Sequence, residues 1–184
     1  MIAGHIGAAA GAKRWAPHVP LWAMMVATFL IDIVFGVLWL FGAEDMSNLE
    51  GTDGGYGNMA FNVDWSHSFF GVMFLCLVVL IVCGRYWGAK GGFVLSCVVF
   101  SHWFLDMIVH HGDLAMFPGN VGITPRVGLG LWHAPLLAAA VELVLVLSGS
   151  WLWYSSADAT ARTRKAAITT AGVGSLILLL DVTL

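Results

Sequence analysis

Charged side chains are scarce in this sequence. Only 10% of its residues are charged, 59% are hydrophobic, and the mean hydropathy is +0.85. A water-soluble domain cannot bury that much apolar surface, so we expect the chain to be surrounded mostly by lipid. Lysine and arginine together number 8 and the formal net charge is −3, which argues against a basic nucleic-acid-binding surface. We therefore expect no nucleic-acid partner.

Cysteine is also scarce, and the common catalytic motifs are missing. The three cysteines lie in apolar runs, without CxxC spacing and without a fourth partner, so we expect neither a disulfide framework nor a thiolate zinc site. The sequence contains no GxSxG, P-loop, dinucleotide-binding or HExxH motif. The chemistries that depend on those motifs are therefore not indicated.

Long apolar runs make up most of the chain instead. A helix needs about 20 residues to cross a bilayer, and a backbone in lipid must satisfy its own hydrogen bonds, so each run is predicted to be helical. A Gly/Ala-rich stretch at residues 2–12 is too short to span and is expected to be an N-terminal half-helix. We predict one all-α integral membrane domain over residues 1–184, a polytopic bundle of four to five transmembrane helices at residues 21–41, 65–83, 91–111, 127–154 and 166–184.

The positions of the basic residues predict the topology, because such residues favour the cytoplasmic ends of membrane segments. We expect a cytoplasmic N-terminus in a bacterial cytoplasmic (inner) membrane, with external loops at 42–63 and 112–126. The sequence leaves open whether the acidic, Gly-rich 42–63 loop is a lid or a docking surface for a partner subunit. The basic residues behind this orientation are Lys13, Arg14, Arg85, Lys90, Arg162, Arg164 and Lys165.

Ionisable residues occur inside the apolar runs, and they are concentrated at one depth. His102, Asp106 and His110 are spaced i, i+4 and i+8, which places them within about 80° of one helix face. Asp32 and His67 are expected at overlapping depth in the outer half of the membrane. Ionisable groups in lipid are costly and usually pair, bind an ion or do chemistry. Histidine and carboxylate with almost no lysine or arginine are the ligand set of a divalent metal.

Most of these residues also have a simpler interpretation. Asp64 can be an N-cap at the start of a membrane helix, with or without orienting a ligand. His67 and His110 can be interfacial residues. His102 and Asp106 can form a helix–helix hydrogen bond, although such bonds contribute only about 0.6 kcal/mol, against a cost of about 2.5 kcal/mol for a central Asp.

Four further residues have no clear partner in the sequence pattern. Asp32 is the only charge in its segment and can be a packing or proton-relay carboxylate. His5, taken alone, would be incidental. Spacing assigns no role to Glu142 or Asp181.

The order of these motifs resembles that of a known family. Along the chain they are Gly4-His5, a lone Asp32, Ser66-His67-Ser68, Ser101-His102-x3-Asp106 and a loop ending in Leu114-Ala115-Met116-Phe117-Pro118. Over roughly residues 3–135 the chain is similar to the membrane-bound metal-dependent hydrolases typified by the LexA-regulated inner-membrane protein. The resemblance implies a small helical membrane protein with a His/Asp metal site. Transferred residue by residue, that site is His5, Asp32, His67, His102 and Asp106.

The first functional hypothesis is a metallohydrolase. Zinc or a similar divalent ion would be held by His67, His102 and Asp106, the other two transferred residues would complete the shell, and one position would stay open for water. Asp64 or His110 would act as the general base. The depth of the site suits a lipid ester or lipid phosphoester near the outer leaflet.

The second hypothesis is a non-catalytic accessory subunit of a larger membrane complex. Small Trp- and Gly-rich bundles serve in this way, and His102 and His133 could ligate haem or a chlorophyll-type pigment. A proton or metal-ion pathway is a third alternative, which ranks last because the inner half of the membrane segments offers few polar residues. An absorption spectrum distinguishes a pigment protein from a colourless metal site.

Overall fold

The computed structural model describes residues 1–122 and 124–183, and helices dominate it. The predicted helical bundle is therefore the observed architecture, with one small antiparallel sheet added to it. The helices are α1 (Ile2–Ala12), α2 (Leu21–Thr28), α3 (Leu30–Leu40), α4 (Phe69–Val109), α5 (Pro135–Tyr154) and α6 (Ala161–Thr183). The strands are β1 (Asp45–Asn48) and β2 (Met59–Asn62), and short 3-10 turns occur at Pro118–Asn120 and Leu131–His133.

Helix α4 consists of two arms joined by a sharp turn. Helical geometry breaks at Trp87 and Gly88, and Gly88 has a φ of +72°, a conformation that glycine adopts at little cost. The second arm then runs back along the first. The Ser96 hydroxyl donates to the Cys76 carbonyl at 2.9 Å, and the Cys76 thiol donates to the Ser96 carbonyl at 3.5 Å. The start and the end of α4 therefore lie side by side.

The longer helices have the properties of membrane spans. Helices α4, α5 and α6 are each long and apolar enough to cross a membrane. Helices α2 and α3 pass the same test only as a pair, and they are bent by 52° at the break between them. Large apolar side chains are exposed along these helices, among them Phe74 at 65% and Val144 at 64%. Such surfaces are typical of contact with lipid rather than with water.

Several predicted segment boundaries differ from those in the structure: the segment predicted at 21–41 is broken after Thr28, the one predicted from residue 65 begins at Phe69, and the starts of the last two segments differ most. The segment predicted at 127–154 is helical only from Pro135, because Gly128 and Gly130 adopt φ values of +155° and +72° that interrupt regular structure. The last helix begins earlier than predicted, at Ala161 rather than at residue 166.

The external loop predicted at residues 42–63 contains the β1–β2 hairpin. Asp45 lies opposite Asn62, and Asn48 lies opposite Met59. The all-α prediction is incomplete here. The sheet forms by pairing between two separated segments, and neither segment has a local pattern of hydrophobic residues that would predict it. The connection uses glycines with positive φ, which are Gly51, Gly54, Gly55 and Gly57.

Helix α1 is a buried half-helix within the bundle. Nearly all of its residues are buried, and it packs mainly against α5, with further contacts to α6, α2 and α4. Glycines permit the close approach: a Cβ on Gly149 would lie 1.9 Å from the Gly7 carbonyl oxygen, and one on Gly7 would lie 2.4 Å from the Leu145 carbonyl oxygen. Small residues at helix contacts are typical of membrane bundles. The backbone contact holds α1 in place although the helix is too short to span.

We expect Gly149→Ala to destabilise the protein, because even a methyl group at this position would overlap the backbone of α1. Gly172→Ala in α6 is the matched control, since among the described residues no atom outside the adjacent backbone of α6 lies within 4 Å of its added Cβ. That change should leave the melting temperature unchanged or raise it slightly. Thermal unfolding of both variants in one detergent measures the effect, and equal melting temperatures would contradict the packing described.

Candidate metal centre

Five ionisable side chains from separate elements converge inside the bundle. His5 belongs to α1, Asp32 to α3, and His67 precedes α4, whereas His102 and Asp106 lie one turn apart near the end of α4. These are the five metal-ligating residues that the sequence predicts, and the structure brings all of them together. The carboxylate on α3 is partly exposed, and the other four side chains are buried. The result is a compact set of nitrogen and oxygen donors.

The two carboxylates face the three imidazole rings at short distances. Asp106 Oδ2 lies 3.0 Å from His102 Nε2 and 3.6 Å from His67 Nε2. The other oxygen of Asp106 lies 3.0 Å from His5 Nε2. Asp32 Oδ1 lies 3.4 Å from His102 Nε2 and 3.6 Å from His67 Nε2. Two groups of three residues share His102, and within each group the ligand atoms lie within 4.8 Å of one another. The groups are His5, His102 and Asp106, and Asp32, His67 and His102.

Several of these separations fit metal coordination better than direct hydrogen bonding. Ligand atoms of a tetrahedral zinc, each about 2.0–2.2 Å from the metal, lie about 3.3–3.6 Å from one another. His67 Nε2 lies 3.6 Å from an oxygen of each of Asp32 and Asp106, and His102 Nε2 lies 3.4 Å from Asp32 Oδ1. An N–H···O hydrogen bond is usually shorter, about 2.7–3.2 Å. Imidazole nitrogen and carboxylate oxygen are also ligands that zinc accepts, so the residues present fit a divalent metal.

His102 gives the clearest geometric indication that the cluster holds either an additional proton or a metal ion. Its ring is fully buried, and its Nδ1 lies 2.6 Å from the Thr28 carbonyl oxygen, which can only accept a hydrogen bond. Nδ1 therefore carries the ring proton, and the lone pair of Nε2 meets Asp32 and Asp106. Nε2 makes no hydrogen bond of acceptable geometry to the described residues. Such a lone pair beside two carboxylates is unfavourable unless a proton or a metal ion lies between them.

Neighbouring groups hold His67 in its orientation. Its Nδ1 lies 2.8 Å from the Ser66 hydroxyl oxygen, and Trp103 Nε1 donates to the His67 carbonyl at 2.8 Å. The second contact ties the start of α4 to its second arm. Because Nδ1 is engaged, Nε2 is the nitrogen that faces the carboxylates, and metal-binding histidines usually have such a partner on the other ring nitrogen.

A cavity of about 520 Å³ adjoins the cluster. Four of the five cluster residues line it, together with Phe35 and Trp132 as aromatic walls. Residues 55–61, which run from the end of the β1–β2 connection into β2, line one side, and we call this segment the roof. Among the described residues that line the cavity, none is lysine or arginine. The cavity is large enough for the polar head of a small amphiphile.

The roof is fastened to the bundle by a contact that the sequence pattern did not identify. The Tyr56 hydroxyl donates to Glu142 Oε1 at 2.7 Å, and the Gly4 N–H donates to Oε2 at 3.1 Å. Burial and the hydrogen bond to Glu142 raise the pKa of the Tyr56 hydroxyl, so it remains a donor. Asp181, which likewise had no assigned role, lines the cavity. In the sequence, Glu142 is recognisable only as an isolated carboxylate in an apolar run. Such a residue is costly in lipid and needs a partner, but the sequence does not identify that partner.

His110 lies at the edge of the cavity and is paired with Asp113. Its Nδ1 donates to Asp113 Oδ1 at 2.8 Å, and its ring centroid lies 6.3 Å from that of His67. Burial alone would raise the pKa of the Asp113 carboxyl, but the hydrogen bonds that it accepts, above all the one from His110, outweigh burial and lower this pKa. The ionised Asp113 carboxylate accepts the N–H of His110 Nδ1, which leaves Nε2 as the ring nitrogen that can accept a proton. This is the arrangement that the general-base prediction for His110 requires.

Asp64 does not join the cluster. Its carboxylate forms a bidentate ion pair with Arg126, with an Nη2–Oδ2 distance of 2.8 Å. Its carbonyl accepts a hydrogen bond from Gly119, and α4 begins only at Phe69, so Asp64 is not its N-cap either. Both carboxylate oxygens are engaged by the guanidinium, and the prediction that Asp64 serves as a general base does not agree with this geometry. The pair instead anchors the loop after α4.

The geometry does not favour the pigment hypothesis. His102 directs its free nitrogen at two carboxylate oxygens, 3.0 and 3.4 Å away, which leaves no room at that nitrogen for a flat macrocycle. His133 is exposed and contacts His111 rather than the cluster. The two histidines proposed for pigment binding are therefore in different environments.

Comparison with known proteins gives no relative for this chain: no family model, no curated protein and no solved structure matches it. The family resemblance carried by the motifs therefore stays a prediction. The case for a metal centre depends on the geometry of the five side chains.

We expect Asp106→Asn to weaken Zn²⁺ binding by about 100-fold or more, because Asp106 faces all three histidines of the cluster. Asp64→Asn is the matched control and should bind Zn²⁺ as the unmodified protein does, because its carboxylate pairs with Arg126. Calorimetric titration of metal-stripped protein in detergent measures both affinities. Equal affinities for the two variants would contradict the assignment of ligands.

Proposed function

We propose that this protein is a membrane-embedded, metal-dependent hydrolase that acts on a lipid ester or lipid phosphoester near the outer leaflet of a bacterial cytoplasmic membrane. The observation that carries the proposal is the convergence of His5, Asp32, His67, His102 and Asp106 with separations suited to a divalent ion. Zinc is the ion that this donor set favours. A purely structural pairing would instead require a second proton on the buried His102 ring, on the Nε2 that faces Asp32 and Asp106.

We further propose five membrane spans, in which the α2–α3 pair crosses once and the two arms of α4 cross separately. In this orientation the basic residues Lys13, Arg14, Arg85 and Lys90 lie at the cytoplasmic ends. Met1 lines the cavity beside the site, at the other end of α1 from Lys13. The predicted cytoplasmic position therefore applies to the end of α1 and not to the first residue.

The chemistry would divide between the ion and the chain. A divalent ion held by the cluster would supply Lewis acidity and make a water molecule easier to deprotonate. His110, oriented by Asp113, would accept the proton from the attacking water and return it to the leaving group. The roof, held by the Tyr56–Glu142 hydrogen bond, would limit the access of bulk water.

The surroundings of the cavity favour a substrate that arrives from the bilayer. Its lining includes Ile2 of α1, Phe35 of α3 and Leu180 of α6, and Ile2 and Leu180 are also partly exposed at the surface of the bundle, at 42% and 46%. Helix α3 makes its main contacts with α4 and α2, which leaves the side toward α6 less tightly closed. A lipid could place its head group at the cluster while its chain stays in the membrane.

The test is turnover by the zinc-loaded protein in mixed micelles that contain a chromogenic lipid phosphodiester or a lipid ester. His110→Gln should lower kcat by about 10²–10⁴-fold with little change in KM, because it removes the base but not the ligands. His18→Gln, which changes an exposed histidine that contacts the Trp87 carbonyl, is the control and should retain full activity.

Chelation should abolish the same activity, and Zn²⁺ should restore it. Absence of turnover of both lipid classes by fully loaded protein, or an unchanged kcat for His110→Gln, would contradict the proposal. A Soret or Qy band in the purified protein would favour the accessory-subunit alternative instead.

A further inference from the structure

A second pair of histidines lies outside the buried cluster. His111 follows the end of α4, and His133 is the last residue of the 3-10 turn before α5. His111 Nδ1 lies 3.4 Å from His133 Nε2, and the ring centroids are 4.5 Å apart. His133 is exposed, so an ion in solution can reach this pair. Because the two histidines are 22 positions apart in the sequence, their pairing could not be read from local spacing.

The backbone fixes the protonation of His111. Its Nε2 lies 2.8 Å from the Gly57 carbonyl oxygen, which can only accept a hydrogen bond. Nε2 therefore carries the ring proton, and the lone pair lies on Nδ1, the nitrogen nearest to His133. His102 in the buried cluster is held in the same way by the Thr28 carbonyl. Donation of one ring N–H to a carbonyl or carboxylate is typical of histidines that bind metals through the other nitrogen.

The distance between the two facing nitrogens suits a shared ion. Two nitrogens bound to one tetrahedral zinc, each about 2.0–2.1 Å from it, lie about 3.3–3.4 Å apart. The observed separation between His111 and His133 is 3.4 Å. A hydrogen bond between the rings would more often be about 2.9–3.0 Å long.

We propose that His111 and His133 form a second, solvent-accessible site for a first-row transition-metal ion such as Zn²⁺, Cu²⁺ or Ni²⁺. Imidazole nitrogen is a preferred ligand of these ions, whereas Mg²⁺ and Ca²⁺ prefer oxygen. With two protein ligands, the remaining coordination positions belong to water, and binding is weaker than at the five-residue cluster. This site does not depend on the function proposed for that cluster.

The position of the site indicates a structural consequence. A bound ion would join the end of α4 to the segment that leads into α5. His111 also holds Gly57, which belongs to the roof, through its Nε2. The ion would therefore stabilise a second attachment of the roof, through Gly57, in addition to the Tyr56–Glu142 contact.

The test compares Zn²⁺ titrations of untagged, metal-stripped protein in detergent with those of His133→Ala. The unmodified protein should bind one more equivalent of Zn²⁺ than the variant. His18→Ala is the matched control, because it removes another exposed histidine that contacts a backbone carbonyl, and it should bind as much Zn²⁺ as the unmodified protein. His111→Ala should lose the same equivalent as His133→Ala.

The outcomes separate this site from the buried cluster. His102→Ala should keep the equivalent that depends on His133, even if the cluster no longer binds metal. Identical stoichiometry and affinity for the unmodified protein and His133→Ala would overturn the proposal, whatever the cluster binds. A His133-dependent equivalent of Mg²⁺ would also overturn it, because two imidazoles do not select a hard cation.

Discussion

The structure depends on the compensation of one buried carboxylate, Asp106, which lies one turn after His102 in the mostly apolar second arm of α4. Its two oxygens face three imidazole nitrogens that come from three separate parts of the chain. In a low-dielectric interior an ionised carboxylate is unfavourable unless it is paired or coordinates a metal. The compensation requires α1, the start of α4 and the end of α4 to meet at one level, and the packing of the bundle brings them there.

The backbone interruptions are what make this meeting possible. The turn at Trp87 and Gly88 returns the second arm of α4 beside the first, so that His67 and His102 face each other across the arms. The break between α2 and α3 lies directly after Thr28, whose carbonyl accepts the hydrogen bond from His102. Each departure from regular helix therefore contributes to the site. The turn in α4 brings His67 and His102 together, and the break after Thr28 positions the carbonyl that holds Nδ1 of His102.

The parts of the site that the sequence could predict follow from local periodicity and depth. The spacing of His102 and Asp106 and the alternation of loop charges predict a common level for Asp32, His67, His102 and Asp106, whereas His5 was assigned only through the family resemblance. The Tyr56–Glu142 and Asp64–Arg126 contacts could not be predicted, because each joins residues more than sixty positions apart. In the sequence alone, the carboxylates of Glu142 and Asp64 each have many equally suitable hydrogen-bond donors. The β1–β2 hairpin was missed for a similar reason, since its register depends on pairing between two segments.

Glu142 has a role that extends beyond the position of the roof. One of its oxygens accepts from the roof and the other from the amide of Gly4, the residue before His5. The cover of the cavity and the helix that supplies a ligand are thus mechanically joined through a single side chain. A substitution that loosens the roof would consequently also loosen the hold on α1 next to His5, so the shape of the cavity and the position of this candidate ligand are coupled.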